Sequence, residues 1–313
     1  MTSRDLVQTM SGAVESPALN VATQSSSSQP EASRCKICRC SDLVVHAHTA
    51  KRKECGTLFF WPYPELDWDK SNPEWETWRG ERVLRWYSES SVYNHKNFTN
   101  MVLFAMGESH KGREIKVLDY GAGGGQFALV CKSLFPQAVV FTTDLSDESL
   151  LEEWKPLSKQ IAFRSFARDP TTFDVIFLND VLEHLSKPID VLRQLKGKLA
   201  RNGLIFVDTP KQFWLYPFTR HLSKTIYTKL LWATVHESHL QLWTRRSFMQ
   251  VLDRSGFRTK KYLETSEFTM PPEYYLDNMG INQPALRFFG RMFYRSARRL
   301  ANNKIFAVLE PVE

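Results

Sequence analysis

The chain has 313 residues, 42% of them hydrophobic, and a formal net charge of +7. That length allows one large or two smaller domains with a sizeable core, and the charge permits an anionic partner (phosphate, membrane surface or RNA) without demanding one. No apolar run approaches the roughly 20 residues of a membrane span, and the first residues lack a secretory signal's apolar core, so a cytoplasmic protein is expected.

In chain order, residues 1–33 are rich in Ser, Gln, Ala and Thr, with Ser25 to Ser28 at their centre. They lack apolar periodicity and are expected to be a disordered tail. Asp5, Glu15 and Glu31 argue against a transit peptide. Residues 34–61 hold Cys35, Cys38, Cys40 and Cys55, four of the five cysteines. Without a secretion signal, such clustering points to metal rather than disulfides. Cys35-Lys36-Ile37-Cys38 has knuckle spacing, and Lys53 to Phe60 resembles the second half of a zinc ribbon. Arg52 stands where the second Cys pair would begin, so the ribbon is degenerate. Cys35, Cys38 and Cys55 are the candidate ligands of one structural zinc ion, with Cys40, His46 or His48 as a fourth. The alternative is a module whose cysteines pack as small hydrophobes.

Residues 62–107 form a Trp-rich connector. The spacing of Trp75, Trp78, Val83 and Trp86 predicts an amphipathic helix, and a second helix is expected from Tyr93 to Met106. Beyond residue 108, apolar strands alternate with helices. Strands are predicted at 115–119, 138–143, 160–164, 173–178, 203–208, 257–264 and 304–310, and helices at 124–134, 147–154, 188–200 and 244–255. This order implies an α/β fold with a parallel, doubly wound sheet. Asn202-Gly203 is expected to cap the helix before it. Residues 211–240 interrupt the alternation with Phe213, Trp214, Tyr216, Phe218, Tyr227 and Trp232, and read as a mobile aromatic lid ending in His236-Glu237-Ser238-His239. From Pro284 to Asn303, five arginines fall near one helical face and Phe288, Phe289, Met292, Phe293 and Leu300 cover much of the rest. Such a helix either lies on an anionic membrane or packs its apolar side on the sheet.

The stretch from Lys116 to Phe127 organises the chain. A short apolar run ends at Asp119, turns through Gly121, Gly123 and Gly125, and starts a helix. Glycine permits positive φ and close approach of a ligand to the backbone. A dinucleotide fingerprint needs glycine where Gln126 stands, which disfavours a nicotinamide oxidoreductase. Asp144 ends the second strand, where an acid can bind ribose hydroxyls, and Phe173 to Leu185 runs as a buried strand into a polar corner. With Asn202 to Pro210, these motifs resemble, in order and spacing, the class I S-adenosylmethionine-dependent methyltransferases, from about Tyr93 to the C-terminus.

That resemblance implies a seven-stranded sheet with an antiparallel last strand, and S-adenosylmethionine as cofactor. It places Gly121, Gly123 and Gly125 along the cofactor's methionine part and Asp119 near its amino group. Asp144 would hold the ribose hydroxyls, Ser165 and Phe166 would border the adenine, and Asn179 and Asp180 would face the methionine moiety. Tyr87 and Tyr93 are further candidates from the covering helices. Some relatives acting on sugars or ribosomal RNA carry a similar N-terminal module.

Transfer to a hydroxyl requires that a proton be removed, and histidine is matched to that task near neutral pH. His184 and His239 are the candidate bases, with His236 beside them. The expected acceptor is a small molecule or glycan, methylated on oxygen or carbon. The alternatives are an RNA-modifying enzyme, favoured by charge and the Cys module but lacking an N-P-P-Y-type motif, and a non-catalytic cofactor-binding protein, disfavoured by the intact Asp119, glycines and Asp144.

Overall fold

The structure, a computed structural model, describes residues 35, 37–38, 41–61, 95–107, 110–146, 149–212, 216–219, 221–231, 239–267, 272–278, 280–300 and 302–312. The expected disordered tail, Cys40, Trp68, Trp75, Trp78, Trp86, Tyr87, Tyr93, Phe213, Trp214, Trp232 and His236 lie outside them.

The strands are β1 (Leu43–His46), β2 (Thr49–Arg52), β3 (Leu58–Phe60), β4 (Lys116–Tyr120), β5 (Val139–Thr143), β6 (Lys159–Gln160), β7 (Phe173–Asn179), β8 (Leu199–Pro210), β9 (Gln241–Leu242), β10 (Phe257–Thr265) and β11 (Lys304–Pro311). The helices are α1 (Gln126–Leu134), α2 (Phe163–Phe166), α3 (Pro188–Lys196), α4 (Tyr216–Thr219), α5 (Lys224–Leu231), α6 (Arg245–Ser255), α7 (Pro272–Asn278) and α8 (Pro284–Leu300). Residues 95–106 are also helical. The large sheet runs β10-β11-β8-β7-β4-β5-β6. Strands β4 to β8 pair in parallel, and β11 is slotted antiparallel between β8 and β10.

The central strands read as unbroken apolar runs because both their faces are covered. On one face Leu118, Ile176, Leu178, Ile205 and Leu309 pack with Trp243, Phe248, Cys55 and Phe59. On the other, Val117, Val175, Phe177, Phe206 and Val308 pack with Phe127 and with Met101, Val102, Ala105 and Met106. Neighbouring residues of each strand thus feed opposite cores, as the two-residue strand period requires. No described helix is long and apolar enough to cross a membrane.

Four local expectations change. The strand predicted at 160–164 is only Lys159–Gln160, and α2 follows, placing Phe163 and Phe166 at helical spacing against the Tyr120 ring. Of the helix predicted at 147–154, residues 149–154 are bend and turn, followed by a 3₁₀ helix at Lys155–Leu157 with Pro156 in its first turn. Proline has no N–H to continue an α-helix through that point. Helix α3 stops at Lys196, and Asn202-Gly203 is not its cap. Asn202, at φ 63°, and Gly203 form a bulge inside β8, where the register against β7 jumps from Phe173↔Leu199 to Val175↔Leu204. A Cβ on Gly203 would meet the Phe173 and Ala200 carbonyl oxygens at 2.8 and 2.9 Å, so only glycine lets the strands approach.

Finally, the described part of the insertion is pinned rather than loose. Tyr216 and Tyr227 are buried with Leu58 and Leu242. The Tyr227 hydroxyl bonds Thr49 Oγ1 at 2.6 Å and the Tyr216 hydroxyl at 3.1 Å. The Cys-bearing sheet β1-β2-β3-β9 takes its last strand from the main domain, so residues 34–61 share a sheet and a core with it.

Candidate functional site

The glycine loop leaves the carboxyl end of β4 at the centre of the large sheet, where open α/β sheets place ligands. Gly121 and Gly125 hold φ of 81° and 89°. A Cβ would stand 2.6 Å from Val181 Cγ2 at the first and 2.1 Å from Leu150 Cδ1 at the second. The loop is therefore closed by packing as well as by backbone conformation. Gly121 N–H donates to the Thr143 carbonyl at 2.8 Å, which brings the end of β5 alongside. Asp144 Oδ2 accepts from Gly123 N–H at 2.8 Å, and its Oδ1 accepts from Ser146 N–H at 3.3 Å.

Asp119 is 2% exposed. Asn179 Nδ2 donates to its Oδ1 at 3.2 Å. Burial, then the nearby Asp144 charge, push the Asp119 carboxyl up to about 7 against this hydrogen bond. Asn179 Oδ1 and Gln126 Oε1 are buried without a hydrogen-bond partner among the described residues. A buried acid with a second acid beside it, and two orphaned amide oxygens, fit a ligand that brings positive charge and hydroxyl or amino donors. S-adenosylmethionine has both: a sulfonium, an ammonium and a ribose diol. Asp119, Gly121, Gly123, Gly125, Asp144 and Asn179 are thus brought together as expected from the sequence.

Two of the expected contacts are not. Phe166 is 2% exposed, with its ring 5.5 Å from that of Tyr120 and Lys198 Nζ 5.3 Å from its centroid. It is a core residue because α2 turns it inward. Ser165 is at the surface, its hydroxyl donating to the Ala162 carbonyl at 2.9 Å.

Asp180, at φ 51°, follows β7 and pairs with Lys304 Nζ. Lys304 also reaches Asp208 Oδ2 at 3.0 Å. The sequence offered no signal for this lysine, which reads as the solvated start of a strand. It is 7% exposed because β11 enters between β8 and β10. Burial alone would lower its ammonium, but Asp180, Asp208, Glu267 and Glu183 raise it well above the usual range. Burial holds the Glu183 carboxyl well above its ordinary value, Asp180 adds to that, and Lys304 opposes it. Glu183 Oε2 accepts from Thr209 Oγ1, which accepts from Trp243 Nε1, both at 2.9 Å.

Two histidines stand beside this buried network. The His184 and His239 rings meet edge to face with centroids 4.6 Å apart. Glu183, His184 and His239 each present a ligand atom within 4.8 Å of the others, a set that also suits a metal ion. The segments are stitched together: Leu240 N–H donates to the Glu183 carbonyl at 3.0 Å, and Gln241 Nε2 to the Leu182 and Leu185 carbonyls at 3.0 and 3.1 Å. Val181, which fills the space at Gly121, ties this corner to the glycine loop.

A second cluster is formed by Cys35, Cys38 and Cys55, whose sulfurs also lie within 4.8 Å of one another. His46 and His48 do not join it; their rings stand 4.5 and 6.0 Å from that of Tyr227.

Residues 93–261 match the family described as methyltransferase domain. The malonyl-[acyl-carrier protein] O-methyltransferase of Halalkalibacterium halodurans is 32% identical over 103 residues, covering 30% of this chain and 38% of that protein. A tRNA carboxymethyltransferase of Marinobacter nauticus is 31% identical over 122 residues, covering 37% of this chain and 33% of that protein. The chain therefore spans less than half the length of either relative. In a solved complex between a methyltransferase activator and a methyltransferase from Haloferax volcanii, one chain superposes with a TM-score of 0.55 at 12% identity. That likeness covers 78% of this chain and all of that one, and shows the fold alone. A match over residues 93–261, on a sheet ordered in this way, means that the chain belongs to the class I S-adenosylmethionine-dependent methyltransferases.

Proposed function

We propose that the protein moves a methyl group from S-adenosylmethionine to a hydroxyl of a small-molecule or glycan acceptor, with His239 as the acceptor-side base. The observation that carries this reading is the His184–His239 pair, at 4.6 Å, seated on buried Glu183 beside the glycine loop. The cofactor, when bound, supplies an electrophilic methyl carbon on a sulfonium. Asp144 serves its ribose hydroxyls, and Asp119 with Asn179 its amino group. His239 takes the acceptor proton. His184 packs against the His239 ring, and Glu183 with Thr209 holds the corner rigid, which keeps the reacting groups aligned.

Support for transfer to oxygen comes from the O-methyltransferase relative. The tRNA-acting relative and the net charge of +7 favour a second reading, an RNA acceptor. Incubation with labelled S-adenosylmethionine and with separated glycan, small-molecule, lipid and RNA fractions tests both. Label in the RNA fraction alone overturns the first reading. In His239→Ala, turnover should fall by ~10² or more with cofactor affinity unchanged. A raised acceptor KM with turnover intact would make His239 an anchor instead of a base.

A further inference from the structure

We infer that Cys35, Cys38 and Cys55 bind one structural zinc ion, and that this ion braces the segment that carries His239. The second half rests on the functional reading above; the first does not. Cys35 Sγ and Cys55 Sγ lie 3.8 Å apart. Tetrahedral zinc with Zn–S near 2.3 Å sets its sulfurs about 3.8 Å apart, whereas a disulfide closes to about 2.05 Å. Ile37 N–H and Cys38 N–H point at Cys35 Sγ, at 3.4 and 3.5 Å, and Thr57 Oγ1 lies 3.2 Å from Cys55 Sγ. Donors aimed at sulfur stabilise thiolate and orient it toward a metal. Cysteines that merely fill space do not converge. Cys131 shows the contrast, since it packs in the apolar core and belongs to no such cluster among the described residues.

The connection to His239 is short. The Cys55 carbonyl accepts from Thr244 Oγ1 at 3.0 Å, and the Gly56 carbonyl from Gln212 Nε2 at 2.8 Å. Three residues beyond Cys55 begins β3, whose Leu58 and Phe59 pair with Leu242 and Gln241 of β9. Phe60 N–H then donates to the Leu240 carbonyl at 3.1 Å, next to His239. A metal that fixes Cys55 therefore fixes the register that presents the imidazole.

Elemental analysis of the full chain purified without added metal should give one zinc per chain. Titrating its thiols with a mercurial should release that zinc. Cys35→Ser should lose it, whereas Cys131→Ser should keep it. In the zinc-free protein, amide exchange should rise at 239–242 while cofactor affinity stays within twofold. Zinc near zero in the parent protein, or no release on titration, overturns the site. Zinc loss without faster exchange at 239–242 overturns the brace alone. The methyltransferase reading falls only if the zinc-loaded protein neither binds cofactor nor transfers a methyl group.

A different observation carries a second proposal. Helix α8 faces inward through Arg287, Gly290 and Tyr294; a Cβ on Gly290 would meet Leu276 at 2.5 Å. Its apolar side is turned out, not packed on the sheet: Leu286, Phe288, Phe289, Met292 and Phe293 are 53 to 68% exposed. The same segment carries five arginines and no acid; Arg287 pairs with Asp277 and Arg291 with Glu273 of α7, and Arg295 is exposed. We propose that this face docks on an anionic lipid surface, where arginines meet headgroups and aromatic rings enter the interface. The protein should float with phosphatidylcholine vesicles containing phosphatidylserine, less so at high salt, and not with phosphatidylcholine alone. Phe289→Ser with Phe293→Ser should abolish flotation and leave the melting temperature unchanged. No flotation, or a dimer in solution that the same double substitution dissolves, overturns it.

Discussion

Asp119→Asn separates what the cofactor site costs the fold from what it contributes to binding. In the parent protein the carboxyl, 2% exposed and next to Asp144, is pushed from 3.8 to about 7. An acid whose folded value is raised holds its proton in the native state over a range where the unfolded chain has released it. Its contribution is therefore most favourable at low pH and is lost as pH climbs from about 4 to about 7. A shift of about three units at 1.36 kcal/mol each amounts to roughly 4 kcal/mol above pH 7. The amide keeps the shape and can still accept from Asn179, but it has no charge to bury. Without cofactor, parent and variant should melt alike near pH 4. The variant should gain several degrees by pH 7.5, with no further divergence above pH 8. With S-adenosylmethionine the order should reverse in affinity. Losing a charge-assisted partner for the ammonium should weaken binding by roughly 10- to 100-fold, about 1.5–3 kcal/mol. Scanning calorimetry from pH 4 to 8 and titration calorimetry provide the two readings. Parallel pH curves, or unchanged cofactor affinity, would refute the argument that this buried acid awaits a cation.

Asp144→Ala removes the acceptor expected to take the ribose hydroxyls and also releases Gly123 N–H. Titration calorimetry should show cofactor affinity weaker by about 1–3 kcal/mol. Lys304→Met leaves Asp208 and Glu183 buried without their cation. Denaturant unfolding at pH 8 should show a loss of about 3–5 kcal/mol, shrinking at pH 5 as the carboxyls take up protons. Gly203→Ala drives a methyl into the Phe173 and Ala200 carbonyl oxygens, which are backbone and cannot turn aside. The expected shift in denaturation midpoint corresponds to about 1–3 kcal/mol.

The sequence by itself determined the centre of the molecule. Strand β4, the glycine turn, Asp144 and β7 are legible because their signals are local: apolar runs of strand length, glycines at positions of positive φ, acids at strand ends. The seven strands and the antiparallel last strand came through the resemblance those motifs carry. Tertiary structure alone decided the rest. Lys304 becomes a buried cation only when β11 slides between β8 and β10 and faces Asp180 and Asp208. His239 meets His184 because β9 pairs with β3 of the Cys module and Leu240 N–H bonds the Glu183 carbonyl. Phe166 is a core residue because α2 replaces a strand and rotates it inward. The amphipathic period of α8 was plain, but which face turned outward was not, since that depends on α7 meeting Gly290. A local pattern gives a residue's period and the chemistry it can do. Its neighbour across a sheet or between helices comes from packing distant segments, and that packing set the charges, partners and exposure on which the site depends.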